Sequence, residues 1–389
     1  MKTAPLKLCV VTGSRAEYGL LSPLLKLIKK DKSLHLQVVA TGMHLSPEFG
    51  LTYIQIEEDG FVIDEKVEML LSGDTNTAII KATGLGMISF ADTFNRLKPD
   101  WIILLGDRFE AFAAAASAHL SRIPIAHLHG GELTEGATDD AMRHAISKMS
   151  YLHFTATETY RKRVIQLGEE PKRVFNVGAI ALDNISKLKL LTKSELENQL
   201  AFSIDKNTVA VTFHPVTMEN NSAKEQMKEL LSALDQFPAM RIIFTLPNAD
   251  ENGRVIIEMV HEYVNKNNNR AKAFTSLGHL RYLSLLNYVQ MVIGNSSSGI
   301  LEAPYFKIPT VNIGHRQTGR IKPSSVIDAS PSQKSIVAAI RKALLPSFRS
   351  SFQQEISPYK KRNTAVNILK EIKRTGKLKS LKKSFFDLT

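Results

Sequence analysis

At 389 residues the chain is longer than one ordinary core organises. Its 43% hydrophobic and 23% charged residues describe a globular protein of two domains, neither fibrous nor disordered. The longest apolar runs, such as 101–105, are of strand length, so no membrane span is expected, and the single cysteine, Cys9, excludes an internal disulfide and reads as a buried core thiol. The net charge of +12 is concentrated: residues 359–389 hold ten Lys or Arg against Glu371 and Asp387, which leaves +4 for the rest, so the basicity reads as a solvated helix face (Val366, Leu369, Ile372) with a frayed end, and no nucleic-acid partner is expected.

In chain order, residues 8–11 form a β-rich run. Leu20, Leu21, Leu24, Leu25 and Ile28 then recur at helical spacing. Runs at 36–40, 101–105, 123–128 and 153–155 repeat the strand theme, with helical stretches at 77–97 and 110–120 between them. The alternation restarts after about residue 185, with strands expected at 209–213, 241–246, 273–274, 289–293 and 310–313. The Lys- and Ser-rich stretch 187–197 reads as a linker. Strand–helix alternation implies parallel sheets covered on both faces. The expected architecture is α/β, with two doubly wound Rossmann-like domains facing a cleft: 1–185, with the C-terminal helix 359–389 packing back on it, and 186–358. The N-terminus shows no secretory pattern, so a cytoplasmic protein is expected.

In open parallel sheets, ligands bind beyond the carboxyl ends of the strands. Those positions hold Gly13-Ser14-Arg15, His44, Gly106-Asp107-Arg108, His127, His129, Glu132, His214, Asn248, Gly294 through Gly299, and Arg316. Their coincidence makes the cleft the default active site. Gly294-Asn-Ser-Ser-Ser-Gly299 carries the strongest phosphate signal: small residues before a helix starting near Ser298 expose backbone N–H groups, although serine capping gives the same pattern. Glu302 could accept hydrogen bonds from a ribose diol or could simply offset the helix dipole. Arg316 could clamp a diphosphate. Asp107 after a buried strand suits a general base or a turn cap, and Asp139 suits an acid/base group or a helix start. His129-Gly-Gly-Glu132 places two titratable groups around a flexible hinge, and no cluster has metal-ligand spacing.

Together, Gly13-Ser-Arg15-Ala-Glu-Tyr18, Thr41-Gly-Met-His44, Gly106-Asp-Arg108, His127-Leu-His-Gly-Gly-Glu132, Asp139-Asp-Ala-Met-Arg143-His144, His214-Pro-Val-Thr217 and the serine loop resemble the hydrolysing UDP-N-acetylglucosamine 2-epimerases of bacterial sialic-acid and related sugar synthesis. The resemblance spans about residues 7 to 325 and implies the twin-Rossmann glycosyltransferase-B fold. It implies that Arg15, Arg108, Ser296, Ser297 and Arg316 contact the phosphates of a UDP-sugar, that Glu302 holds the ribose, and that Leu277 and Tyr282 line the uracil pocket. Asp107 and Asp139 match acid/base carboxylates, and His44, His144 and His214 match cleft histidines. Many members carry glutamate where this chain has His129, so either His129 or Glu132 takes that carboxylate's role. The implied reaction converts UDP-N-acetylglucosamine to N-acetylmannosamine and UDP by elimination and hydration, without cofactor or metal, in a homodimer or tetramer. The same chemistry on a 2,4-diacetamido-6-deoxy analogue, a non-hydrolysing epimerase, or a glycosyltransferase on the same fold are the rival readings.

Overall fold

A computed structural model describes residues 4–185, 188–216, 219, 222–247 and 250–388. Thr217, Lys187 and Asn248, singled out above, lie outside the described residues. The chain divides into two compact units: Met1–Glu132 with Asp139–Asn184 and Tyr359–Thr389, and Leu133–Thr138 with Ile185–Pro358.

The first unit is built on seven strands: β1 (Leu6–Thr12), β2 (Leu34–Thr41), β3 (Glu65–Val67), β4 (Trp101–Leu105), β5 (Ile125–Leu128), β6 (Leu152–Thr155) and β7 (Val174–Asn176). All pair in parallel, in the order β3-β2-β1-β4-β5-β6-β7. The order reverses between β1 and β4, which opens a crevice at their carboxyl ends. Side chains alternate across the pleat, so Leu8 and Val10 join one core while Cys9 and Val11 join the other. Helices Arg15–Lys30 and Thr364–Thr375 supply the first core, and Asn76–Leu97 and Phe109–Leu120 the second.

The second unit has six parallel strands: β8 (Thr208–Thr212), β9 (Arg241–Thr245), β10 (Ala271–Phe274), β11 (Val292–Gly294), β12 (Thr310–Ile313) and β13 (Val326–Ala329). Their order is β10-β9-β8-β11-β12-β13, with the reversal between β8 and β11. Both units are therefore doubly wound.

Three expectations need correction. The stretch read as a linker runs into the helix Lys193–Leu200, started by a capping box in which Thr192 and Glu195 satisfy each other's backbone N–H groups. Leu133–Thr138, expected in the first domain, belongs to the second unit: Glu135 N–H donates to Thr318 O at 3.3 Å, and Leu133 packs on Gly319. The basic end of the chain is not frayed. Helix Thr364–Thr375 buries Ala365, Ile368, Leu369 and Ile372, while Val366 faces outward. Each of the larger aliphatics contributes about 1.5–3 kcal/mol. Asp183 accepts from Asn363 N–H and Ala365 N–H at the helix start, and Tyr359 meets Tyr160 hydroxyl to hydroxyl at 2.8 Å.

Beyond that helix, Lys383 reaches both oxygens of Glu169 at 2.8 and 2.7 Å and the carbonyls of Lys148 and Ser150. His153 Nε2 lies 3.1 Å from the same carboxylate. Burial alone would raise the Glu169 pKa, but hydrogen bonds from His153 and Lys383 hold it at about 2, below its ordinary 4.5. A depressed carboxylate stabilises the fold above about pH 4.5, and that contribution fades as pH falls towards 2. The expected loss is up to about 3 kcal/mol. Acid unfolding of Glu169→Gln should show a flatter dependence over this window than the parent, and an identical acid limb would contradict the assignment.

Candidate active site

In the first unit the site grows from the loops after β1, β2, β4 and β5. Asp107 follows β4 directly. Its carboxylate accepts from Arg143, which is 2% exposed and projects from helix Asp139–Met149. Arg143 Nη1 also donates to Glu132 O at 2.8 Å and to Asp140 Oδ1 at 3.2 Å. One buried guanidinium thus ties together the ends of β4 and β5 and the start of that helix. Behind Asp107, His127 Nε2 meets Gly106 O at 2.7 Å; burial pulls its pKa down to about 3, so the ring is neutral and donates there.

His129 and Glu132 close on each other: Nδ1 lies 2.8 Å from Oε1, and Ile180 N–H approaches Nε2 at 3.3 Å. Gly131 makes the turn possible. Its φ is +77°, and a Cβ there would sit 2.4 Å from Tyr160 O.

Arg108 and Arg15 flank the β1/β4 crevice. Arg108 Nε donates to Glu110 Oε1 at 2.7 Å. Glu17 accepts from Gly13 N–H at 2.7 Å, and burial, then the neighbouring Glu110, raises its pKa to about 8. Arg15 opens helix Arg15–Lys30, where a cation opposes the helix dipole.

His44 is fully buried, with Thr12 Oγ1 on Nε2 at 3.1 Å and Thr52 Oγ1 on Nδ1 at 2.8 Å, and burial lowers its pKa to about 4. Both nitrogens are occupied, so His44 ties the β1 and β2 loops together. Asp140, not singled out in advance, is the carboxylate that meets Arg143 and lies 3.5 Å from His144 Nε2, while Asp139 opens the helix. The i, i+3 and i, i+4 spacing of Asp140, Arg143 and His144 was the available signal. Glu17 and Glu110 were missed because ordinary helix-start acids look the same in sequence.

In the second unit the loop after β11 lies beside the one after β8. Asn295 locks them: its Oδ1 accepts from His214 N–H at 2.7 Å and its Nδ2 donates to His214 O at 2.8 Å. Gly294 is required, since a Cβ there would fall 1.9 Å from Thr212 O. Arg316 Nη1 and Gln317 Nε2 both hold Asn295 O, at 3.2 and 2.8 Å, which fixes Arg316 beside the serine loop. Ser296 and Ser297 precede Ser298–Leu301, a single helical turn. Tyr282 hydroxyl meets Ser298 Oγ at 2.6 Å; burial and then the charge of Glu302 push its pKa up. Leu277 is buried immediately before helix Gly278–Leu286. His279, in the same turn, is neutral at ordinary pH because burial pulls its pKa down to about 4. His214 Nδ1 stands 3.7 Å from Asp250 Oδ2. Among the described residues, no group of three or more His, Cys, Asp or Glu could hold a metal ion, and no helix is long and apolar enough to cross a membrane.

Residues 26–373 match the family profile described as UDP-N-acetylglucosamine 2-epimerase. The chain belongs to this family. It is 47% identical to the GDP/UDP-N,N'-diacetylbacillosamine 2-epimerase (hydrolyzing) of Campylobacter jejuni, over 83% of this chain and 84% of the relative. It is 38% identical to polysialic acid biosynthesis protein P7 of Escherichia coli, over 98% and 97% of the two chains. In fold this epimerase resembles the UDP-GlcNAc 2-epimerase from Neisseria meningitidis solved with UDP-GlcNAc, with a TM-score of 0.80 at 18% identity, covering 95% of this chain and all of the other. The two parallel-sheet domains are of the glycosyltransferase-B-like kind.

Proposed function

We propose that this epimerase is hydrolysing and that it converts a UDP-2-acetamido sugar to the free manno-configured sugar and UDP. The carrying observation is the cluster in which Arg143 holds the Asp107 carboxylate and the Glu132 backbone at one sheet edge. A base there removes the C2 proton while the anomeric C–O bond breaks, the electron pair leaves with UDP, and a 2-acetamidoglucal forms. Water then adds at C1, and an acid returns a proton to C2 on the opposite face. Two proton transfers on opposite faces need two titratable groups, and Asp107, Glu132 and Asp139 are the carboxyl candidates, with His144 and His214 near them in role. The second unit supplies the nucleotide end. Ser296 and Ser297 present N–H groups to the diphosphate, Arg316 adds charge, Glu302 takes the ribose, and Leu277 and Tyr282 border the uracil. Arg15 and Arg108 stabilise charge on the departing UDP.

UDP-N-acetylglucosamine is the parent substrate of this reading. A second sugar is favoured by one observation: the 47% identical relative is named for N,N'-diacetylbacillosamine, and its name covers both GDP and UDP. Assaying UDP-N-acetylglucosamine beside the UDP- and GDP-linked 2,4-diacetamido-6-deoxy sugars separates them. The reading expects nucleoside diphosphate and a free manno sugar from one of the three without any acceptor. Return of an intact nucleotide-linked manno sugar would replace it with a non-hydrolysing epimerase.

A further inference from the structure

We propose that His129 is a positioning residue, held in its neutral Nδ1–H form to orient the Glu132 carboxyl, and that Glu132 rather than the imidazole exchanges protons with substrate. The inference rests on the hydrolysing reading for its substrate but on geometry for its logic. An amide N–H can only donate, and Ile180 N–H points at His129 Nε2 from 3.3 Å. Nε2 must therefore offer its lone pair, which leaves the ring proton on Nδ1, facing Glu132 Oε1 at 2.8 Å. Protonating Nε2 would set two N–H groups against each other inside a buried pocket, where His129 is 9% and Glu132 2% exposed. A ring that cannot take a second proton without breaking this contact is poorly suited to shuttle one.

The backbone supports the same assignment. His129 has φ +66°, the left-handed region that β-carbon-bearing residues occupy only at a cost. It is locked there by its N–H donating to Phe154 O at 2.8 Å. The strained turn aims Nδ1 back at the residue three positions on. Asparagine tolerates this conformation and carries an N–H in place of Nδ1–H, yet it cannot relay a proton.

That difference supplies the test. With the substrate the parent turns over, His129→Asn should keep kcat within about tenfold of the parent and retain every limb of its pH profile. His129→Ala should fall at least about tenfold further in kcat with KM little changed. Should the alanine protein not fold, His129→Gly, at ease with positive φ and lacking the donor, takes its place. Asparagine as inactive as alanine or glycine, or the loss of a pH limb in His129→Asn, would overturn the proposal. Imidazole nitrogen NMR of the full-length parent gives an activity-independent reading, with the His129 signals assigned by their disappearance in His129→Asn. Protonated Nδ1 and bare Nε2 are expected, and the opposite tautomer would overturn the proposal even if the parent turned over no UDP-sugar. A parent that is inactive on the whole panel would instead count against the hydrolysing reading itself.

Discussion

Asp107→Asn is expected to lower turnover by on the order of 10²-fold or more while UDP affinity stays at the parent level. The side chain leaves the end of β4, where Gly106 and His127 fix the backbone, and its carboxylate is paired with the buried Arg143. Asparagine keeps the shape and an acceptor oxygen for Arg143 but cannot take or give a proton. Most of the nucleotide-binding groups proposed above lie in the second unit, and Arg15 and Arg108 keep their own side chains in this variant, so titration calorimetry with UDP should register little change. A UDP-release assay showing normal turnover would make Asp107 a turn residue only.

Arg143→Met is expected to cost about 3 kcal/mol of stability, together with most of the activity. Removing one partner of a buried ion pair leaves the other groups uncompensated, typically at 3–5 kcal/mol. The lower end applies here because the Asp107 and Asp140 side chains are 19% and 23% exposed and can recover some water. Glu132 O loses a donor in the same step. Arg143→Lys should recover part of the stability but little turnover, since a single ammonium cannot span three acceptors as the planar fork does. Urea unfolding that shifts by less than about 1 kcal/mol in Arg143→Met would contradict the clamp.

Much of the fold was legible because central strands of parallel sheets are buried on both faces and read as continuous apolar runs. Trp101–Leu105 and Thr310–Ile313 have the bounds the sequence suggested. The three strands not foreseen, Glu65–Val67, Val174–Asn176 and Val326–Ala329, are all sheet-edge strands of three or four residues, half exposed and mixed in polarity. Such segments become strands only because a neighbour offers a ladder. The site was legible as a set of residues but not as a network. Sequence placed Asp107, His129 and Glu132 at strand ends. It could not show that Arg143, 36 positions from Asp107, would turn its guanidinium onto that carboxylate, or that Ile180 N–H would cap His129. It also gave His44 the same standing as His144, because burial between two threonines leaves no mark in a motif.

The central claim is that bonds at C2 of the sugar are broken and remade as UDP departs. Turnover of the competent nucleotide sugar in heavy water, followed by NMR of the isolated product, tests it most directly. The account predicts one solvent deuterium at C2 of a free manno-configured sugar, released with UDP in equal amount. A product that keeps its original hydrogen at C2, or one that keeps the gluco configuration, would contradict it.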